Sequence, residues 1–318
     1  MTPRYRIARW IGHQHWMRGR GRLASLLCPA GRVTGKEFDV EFFGNRYHGQ
    51  LDDFIDRCVY LFGGWELHIL ALLSQLAATY REGGRPVTYV DVGANTGQHS
   101  LLMARRAAQV ICFEPFEPAR RHLHERISDN QLRNVTVVPV ALGPRRAMSE
   151  YYPPEGRNQG TGSLMADFCP RNQTSPLEVP VEAGDSYFQS RDQQVDVMKI
   201  DVEGAERGVL EGLHETLRRY RPAVVLELSE YTQKDIGTIE CLRDLLYPGA
   251  ALFTIGHASR RAGYKLQECD FSAPSDILAI PNELQTRIPR TASFAAIPGR
   301  GPECDLALSA TPRPVDSI

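Results

Sequence analysis

The chain has 318 residues, of which 42% are hydrophobic and 24% charged, and its formal net charge is -1. At this length, one large hydrophobic core with appendages is expected rather than two equal domains. The balanced charge argues against a nucleic-acid partner, because proteins that bind nucleic acids carry a strong basic excess. No run of about 18 apolar residues occurs, so no membrane-spanning helix is predicted.

The cysteines and the N-terminus bear on cellular location. Seven cysteines are scattered along the chain without any Cys-x-x-Cys pair. This pattern is typical of reduced thiols and not of a zinc site or a disulfide framework. The N-terminus also lacks the apolar stretch and small-residue cleavage site of a secretory signal, so we expect a cytoplasmic protein.

Residues 1–64 are predicted to form a basic arm followed by a small extension of strands and turns. Residues 1–36 contain seven arginines, one lysine and no acidic residue, together with Trp10 and Trp16. The arm is interpreted as an interfacial helix that contacts an anionic membrane or a phosphorylated substrate, as a transit peptide, or as an extension packed on the domain. Short alternating segments over 38–62 favour strand and turn over helix.

Residues 65–285 are predicted to form a single α/β domain. Strand-like apolar runs alternate with helical patterns, which predicts a mostly parallel sheet with helices on both faces. Seven strands are predicted, over 87–92, 110–113, 135–142, 195–200, 223–228, 252–255 and 277–280, and helices over 65–80, 98–108, 118–127 and 206–220. Prolines and glycines predict a loop-rich insertion over 144–185, and the composition of 286–318 predicts a mobile tail.

The most informative motif is a glycine loop between a buried strand and a helix, Asp91-Val-Gly93-Ala-Asn95-Thr-Gly97. A dinucleotide-binding loop needs a second glycine for close approach to the pyrophosphate, but Asn95 stands there. A nicotinamide-dependent dehydrogenase is therefore disfavoured, and the Gly-Lys-Ser/Thr ending of a phosphate loop is also absent. Asp91 favours a ligand that carries an ammonium group and a positively charged sulfur, as S-adenosylmethionine does.

The next strand supports the same cofactor. It ends in Glu114, which lies 21 positions after Gly93. Related folds place a carboxylate at this spacing to accept hydrogen bonds from ribose hydroxyls. The alternative is that Asp91 and Glu114 are simply solvated carboxylates at strand ends.

A third strand ends in a charged stretch that runs from Lys199 to Glu206. Strand alternation places Lys199 and Asp201 on one side, at the sheet edge where ligands bind. We interpret Asp201 as the general base for an acceptor hydroxyl, with Lys199 and Glu227 as further catalytic candidates. With Asp201, the carboxylates of Glu203, Glu206 and Glu227 are also candidate ligands for Mg²⁺. The alternative for Glu203 and Glu206 is stabilisation of the next helix through its dipole.

Together these motifs resemble the FkbM family of S-adenosylmethionine-dependent methyltransferases. The resemblance covers about residues 60–230 and also includes Phe113-Glu-Pro115, Ala141-Leu-Gly143 and Gly162-Ser-Leu164. It implies a class I methyltransferase fold, with a Rossmann-like, seven-stranded, mostly parallel sheet in which one late strand is antiparallel. It also implies that Ala141 lies beside the adenine and that the segment Gly64-Trp65-Glu66 helps to cover the pocket. The candidate donor-binding residues are Asp91, Gly93, Asn95, Gly97, Ser100, Glu114 and Ala141.

The acceptor is less well defined. The resemblance implies O-methylation of a sugar, glycan or natural-product hydroxyl, and the chain lacks the Asn/Asp-Pro-Pro-Tyr/Phe tetrapeptide typical of amine and nucleobase methylases. An N-methyltransferase and a non-catalytic scaffold that binds S-adenosylmethionine stay open as alternatives. One position departs from the family pattern, since Gly184 stands where relatives tend to have leucine, and this leaves the role of Asp185 undecided.

Overall fold

The computed structural model describes residues 2–14, 16–82, 84–154, 160–166, 175–258 and 263–293. The helices are α1 (Pro3–Gly12), α2 (Arg20–Leu27), α3 (Phe54–Phe62), α4 (Leu67–Arg81), α5 (Gln98–Ala104), α6 (Glu117–Asp129), α7 (Gly184–Gln189), α8 (Glu206–Gly212), α9 (His214–Tyr220), α10 (Glu230–Ile236) and α11 (Ile239–Leu245), with short 3-10 turns at Ala30–Arg32 and Asn282–Leu284. The strands are β1 (Glu37–Phe42), β2 (Asn45–Gln50), β3 (Thr88–Val92), β4 (Gln109–Phe113), β5 (Val135–Val138), β6 (Ala141–Leu142), β7 (Ala147–Tyr151), β8 (Leu177–Glu182), β9 (Val197–Ile200), β10 (Ala223–Leu228), β11 (Ala250–His257), β12 (Gly263–Glu268), β13 (Ser275–Pro281) and β14 (Thr291–Ser293).

The main sheet of the described chain has the strand order β14-β12-β11-β13-β10-β9-β3-β4-β5. Strands β5, β4, β3, β9 and β10 are parallel to one another, and β13 runs antiparallel to both β10 and β11. These strands and β11 correspond to the seven predicted from the sequence. The predicted class I methyltransferase fold, with one late antiparallel strand, is therefore confirmed, and β12 and β14 extend the sheet beyond β11.

The central strands are apolar at nearly every position because helices cover both faces of the sheet. Every residue of β3 and β9 is buried. Successive side chains point to opposite faces, so Val90 and Val92 join one hydrophobic cluster whereas Tyr89 joins the other. The strands consequently end in a rigid edge, and the polar residues that follow them are held in place.

One prediction that the structure contradicts is strand and turn over 38–62. Strands β1 and β2 form an antiparallel hairpin, but residues 54–62 form helix α3. Asp53 caps this helix by accepting a hydrogen bond from the backbone N–H of Asp56 at 2.9 Å, and Gly63 closes it with φ 88°. The capping aspartate was the sequence feature that favoured a helix here.

Two predicted elements are each divided. The predicted strand 135–142 leaves the main sheet at Pro139, which has no N–H to donate, and β6 pairs with β8 instead. The predicted helix 206–220 breaks between α8 and α9. Helix α8 ends at Gly212, which packs directly against the backbone of Gly143. A Cβ on Gly212 would lie 1.9 Å from the Gly143 carbonyl oxygen, so only glycine fits at this position.

Asp185, whose role was undecided, stabilises this break. Its carboxylate accepts hydrogen bonds from the backbone N–H groups of Glu215 and Thr216, at 3.0 and 2.8 Å, and from the Thr216 hydroxyl at 2.7 Å. These N–H groups lie in the first turn of α9, where they have no partner within the helix. Asp185 is therefore a helix-capping residue.

The insertion and the predicted tail contain more regular structure than expected. Within 144–185, β7 and β8 pair antiparallel and form a three-stranded sheet with β6. Val179 and Val181 are buried, so β8 alternates between inside and outside. Of the predicted tail 286–318, residues 291–293 form β14, which pairs with β12, and residues 294–318 lie outside the described part.

The basic arm forms helices α1 and α2. A Cβ on Gly12 would lie 2.0 Å from the carbonyl oxygen of Leu61, so a glycine is needed where α1 meets α3. No single helix among the described residues is long and apolar enough to cross a membrane, although α3 and α4, bent by 75° relative to each other, meet that test as a pair. The domain boundary at residue 64 stays a prediction.

Candidate active site

The glycine loop connects β3 to α5 and is packed tightly against its neighbours. Gly93 has φ 84°, and a Cβ there would lie 1.8 Å from the carbonyl oxygen of Asp201. The backbone N–H groups of Gly93 and Ala94 donate to the carbonyl of Phe113 at 3.0 and 3.1 Å. The loop therefore lies directly between the ends of β4 and β9, and only glycine fits at position 93.

Glu114 follows β4 and is held by two backbone groups. Its Oε2 accepts the N–H of Asn95 at 2.7 Å, and its Oε1 accepts the N–H of Phe116 at 2.8 Å. Burial raises the pKa of Glu114 to about 7. Because a carboxylate has about four lone-pair sites, each oxygen can still accept a hydrogen bond from a ligand hydroxyl.

The glycine-loop cavity lies beyond the ends of β3 and β4. Four of the predicted donor residues line it, namely Gly93, Asn95, Glu114 and Ala141. Tyr151 and residues 162–164 also line it. Its volume is about 50 Å³, well below the roughly 300–1,000 Å³ of typical ligand sites, so entry of an adenosine requires these lining residues to move outward.

An adjoining acidic cavity of about 140 Å³ contains the predicted catalytic residues. Lys199, Asp201 and Glu227 line it, as does Gly97. Asn95 borders both cavities, and its buried Oδ1 has no hydrogen-bond partner among the described residues. Such an acceptor, beside carboxylates, suits the ammonium group of S-adenosylmethionine.

The structure places Asp91 and Ser100 beneath the loop instead of at a cavity wall. The Ser100 hydroxyl donates to Oδ2 of Asp91 at 2.5 Å, and both side chains are buried. Burial raises the pKa of Asp91. Neither residue lines the glycine-loop cavity or the acidic cavity, so direct contact with the donor stays a prediction for both.

The three catalytic candidates have different protonation states. Lys199 Nζ lies 2.5 Å from Oδ2 of Asp201. Burial lowers the pKa of Lys199, but the neighbouring carboxylates outweigh it and hold this pKa above its usual range. Burial likewise raises the pKa of Asp201, but the Lys199 ammonium outweighs it and holds this pKa below its usual range. The charge of Asp201, together with burial, raises the pKa of Glu227 to about 11. At neutral pH only Asp201 of the three is ready to accept a proton.

The candidate magnesium ligands divide into two groups. Asp201, Glu203 and Glu227 each have an oxygen within 4.8 Å of the others. Glu206 is instead fully buried, and its oxygens accept hydrogen bonds from two backbone N–H groups at 3.1 Å and from the Thr232 hydroxyl at 2.5 Å. Glu206 therefore stabilises the turn before α8, which leaves Asp201, Glu203 and Glu227 as the remaining candidate ligands.

Glu66 belongs to the segment that the resemblance places over the pocket, although its carboxyl is not among the candidate site residues. It lies immediately before α4, with φ 50°, and lines the acidic cavity. Its Oε2 lies 3.5 Å from Nε2 of His99. Burial raises its pKa to about 8. Gln98 holds the segment in place by accepting the N–H of Trp65 at 2.6 Å and donating to the Trp65 carbonyl at 3.1 Å. Trp65 also lines the acidic cavity, as the resemblance implied.

The fold is that of class I methyltransferases, and the glycine loop, Glu114 and the acidic cavity lie together at one edge of its sheet. Residues 91–266 match the family model described as the methyltransferase FkbM domain, which is more than half of the chain. The chain therefore belongs to the FkbM methyltransferase family.

The chain is also similar to two curated proteins, each at 27% identity over part of its length. The 2-O-methyltransferase NoeI of Sinorhizobium fredii is 27% identical over 149 residues, which are 42% of this chain and 59% of NoeI. The AMB antimetabolite synthetase AmbE of Pseudomonas aeruginosa is 27% identical over 195 residues, which are 49% of this chain and 9% of AmbE. The matched region thus covers less than two thirds of either relative.

Solved structures with a similar fold include two methyltransferases. The methyltransferase FkbM from Methylobacillus flagellatus has a TM-score of 0.41 at 13% identity, covering 87% of this chain and 59% of that one. A methyltransferase from Agrobacterium tumefaciens has a TM-score of 0.44 at 12% identity, covering 79% and 72%.

Proposed function

We propose that this protein transfers a methyl group from S-adenosylmethionine to a hydroxyl oxygen of a sugar, glycan or natural-product acceptor. The observation that carries the proposal is the position of Asp201, which lines both cavities and lies 2.5 Å from Lys199 Nζ. The name of NoeI as a 2-O-methyltransferase supports oxygen as the methylated atom.

The residues divide the work of the reaction. When bound, S-adenosylmethionine supplies an electrophilic methyl group on its sulfonium. Glu114 would accept hydrogen bonds from the ribose, and Asn95 Oδ1 would accept one from the ammonium. Asp201 would accept a hydrogen bond from the acceptor hydroxyl and take its proton as the new C–O bond forms and the methyl C–S bond breaks, with S-adenosylhomocysteine as the leaving group. Lys199 keeps Asp201 ionised and oriented, and this positioning contributes much of the rate.

The test compares Asp201→Asn with Asp244→Asn, an exposed matched control. We expect Asp201→Asn to bind S-adenosylhomocysteine normally in calorimetry but to transfer methyl groups to hydroxyl acceptors slower by a factor of roughly 100 or more. Unchanged turnover would remove Asp201 as the base. A wild-type protein that does not bind S-adenosylhomocysteine would contradict the whole proposal, and a methylated amine as product would favour the N-methyltransferase alternative.

We expect the reaction to proceed without magnesium. The Lys199 ammonium, 2.5 Å from Asp201 Oδ2, already compensates the charge of Asp201, which leaves this carboxylate less charge to offer a hard cation. Treatment with EDTA should therefore leave the methyl-transfer rate unchanged, and a loss that added Mg²⁺ restores would show that the acidic cluster binds metal.

We further propose that the basic arm contacts an anionic membrane from the cytoplasmic side. Of the eight large hydrophobic side chains exposed in the described part, five lie on the arm, namely Ile7, Trp10, Trp16, Leu23 and Leu26. Exposed apolar residues among arginines are typical of interfacial segments. The wild-type protein should sediment with phosphatidylserine vesicles, less so at high salt, and the Trp10→Ser, Trp16→Ser double variant should not. Equal sedimentation of both would refute the contact.

A further inference from the structure

A third cavity, of about 800 Å³, lies next to the acidic cavity. We call it the arginine cavity, because Arg20 of α2 and Arg57 of α3 line it. Phe54, Trp65 and Glu66 belong to the walls of both cavities. Its volume falls within the range of ligand sites, and its shared wall brings any occupant close to the catalytic carboxylates.

The position of this cavity follows from the sheet. Asp276 of β13 lines it, and in the antiparallel pairing of β10 with β13 Asp276 lies opposite Glu227. The cavity therefore begins one strand away from the catalytic cluster, beyond the end of β10. In α/β sheets this edge is where ligands bind.

The two arginines carry charge that the cavity does not compensate. No carboxylate of the described residues lies within 4.0 Å of the guanidinium of Arg57 or Arg20. Arg20 is oriented by donating to the carbonyl of Gly12 and by lying 5.7 Å from the ring centre of Phe62. Half-buried guanidinium groups without a carboxylate partner are well suited to bind a phosphate or a carboxylate.

The acidic residues of the same cavity already have partners. Oδ2 of Asp276 lies 3.2 Å from Nε2 of His68, and the ring of His68 packs against that of His257 at a centroid distance of 3.9 Å. Burial favours the neutral form of Glu66, since it raises the pKa of this carboxyl. The remaining charge of the cavity is therefore positive, and it lies on the side of Arg20 and Arg57.

We propose that the arginine cavity binds the methyl acceptor and that this acceptor carries an anionic group, a phosphate or a carboxylate, held by Arg20 and Arg57. Its hydroxyl would then reach Asp201 past Trp65 and Glu66. The assignment of the occupant as acceptor rests on the proposed methyl transfer to a hydroxyl, whereas the binding of an anion does not.

The test is calorimetric titration of the full chain with inorganic pyrophosphate, glucose 6-phosphate, glucuronate and glucose. We expect the anionic probes to bind and glucose to bind at least about tenfold more weakly. Stronger binding of glucose 6-phosphate than of glucuronate identifies a phosphate as the bound group, and the reverse order identifies a carboxylate.

Variants link that binding to the cavity. Arg57→Gln should weaken the anionic probes at least about tenfold, whereas Arg22→Gln, which removes an equal charge from the exposed face of α2, should not. Arg20→Gln provides a second variant, and unchanged thermal unfolding and affinity for S-adenosylhomocysteine exclude misfolding. Equal effects of Arg57→Gln and Arg22→Gln, or no binding of any anionic probe, overturn the proposal.

The two proposals can fail separately. If S-adenosylhomocysteine binds but the anionic probes do not, the arginine cavity is not an anion site and the methyl-transfer proposal stands. If the anionic probes bind in a way that depends on Arg57 but S-adenosylhomocysteine does not bind, the assignment of the occupant as a methyl acceptor is overturned along with the proposed function.

Discussion

Arg126 connects the N-terminal extension to the glycine loop through buried contacts. From α6, its guanidinium lies 2.8 Å from Oδ1 of Asp56 on α3. It also donates to the carbonyls of Thr96, at 2.7 Å, and His48, at 3.2 Å, and lies 4.0 Å from the ring centre of Tyr47. The side chains of Arg126 and Asp56 are only 3% and 7% exposed, so solvent screens their interaction very little.

We expect Arg126→Ala to lower the free energy of unfolding by about 3–5 kcal/mol, which is the usual cost of leaving one charge of a buried pair without its partner. Asp56 would keep only the hydroxyl of Tyr47, at 2.7 Å, and the N–H of Gln50, at 2.8 Å. Urea unfolding with linear extrapolation measures the change. The matched control is Arg121→Ala on the same helix, whose pair with Glu117 is exposed and 3.9 Å long, so the loss should stay below about 1 kcal/mol.

A double variant, Arg126→Met with Asp56→Leu, separates the pair from its surroundings. Because replacing both buried charges is often neutral, we expect the double variant to be more stable than Arg126→Ala. A loss below about 1 kcal/mol for Arg126→Ala would refute the reasoning. The reasoning would also be refuted if the double variant lost as much free energy of unfolding as Arg126→Met and Asp56→Leu lose together as single variants. The two charges would then be energetically independent.

Three further predictions concern the donor site. Glu114→Ala should weaken S-adenosylhomocysteine binding by about 1–3 kcal/mol, and an unchanged Kd in calorimetry would remove Glu114 from the site. Because the pKa of Glu114 is about 7 and ribose hydroxyls donate to its ionised form, the affinity is present above this pKa and is lost as the pH falls through it. Between pH 6 and 8 the affinity should rise about tenfold, and this rise should be absent in Glu114→Gln. Gly93→Ala places a Cβ 1.8 Å from the Asp201 carbonyl oxygen at φ 84°, so urea unfolding should show a loss of at least about 1–2 kcal/mol together with lost donor binding; unchanged stability would mean that the loop can relax.

The strands and the loops that follow them were predictable because their causes are local. Runs of apolar residues predict buried strands such as β3. Gly93, Glu114 and Asp201 each follow directly on the end of a strand. Elements whose form depends on distant packing were not predictable. Residues 206–220 have a continuous helical pattern, but Gly212 meets Gly143 and Asp185 caps a second helix.

The candidate site shows the same division. The family and the sheet could be predicted from the sequence. Eight of the ten predicted site residues line a cavity, because each of them lies in or next to the strand or loop that positions it. Tertiary packing placed Asp91 and Ser100 beneath the loop, brought the Glu66 carboxyl next to His99 and put Arg20 and Arg57 in the walls of one cavity. Those contacts join segments far apart in the chain, and burial and distance between such segments exist only once the sheet has packed.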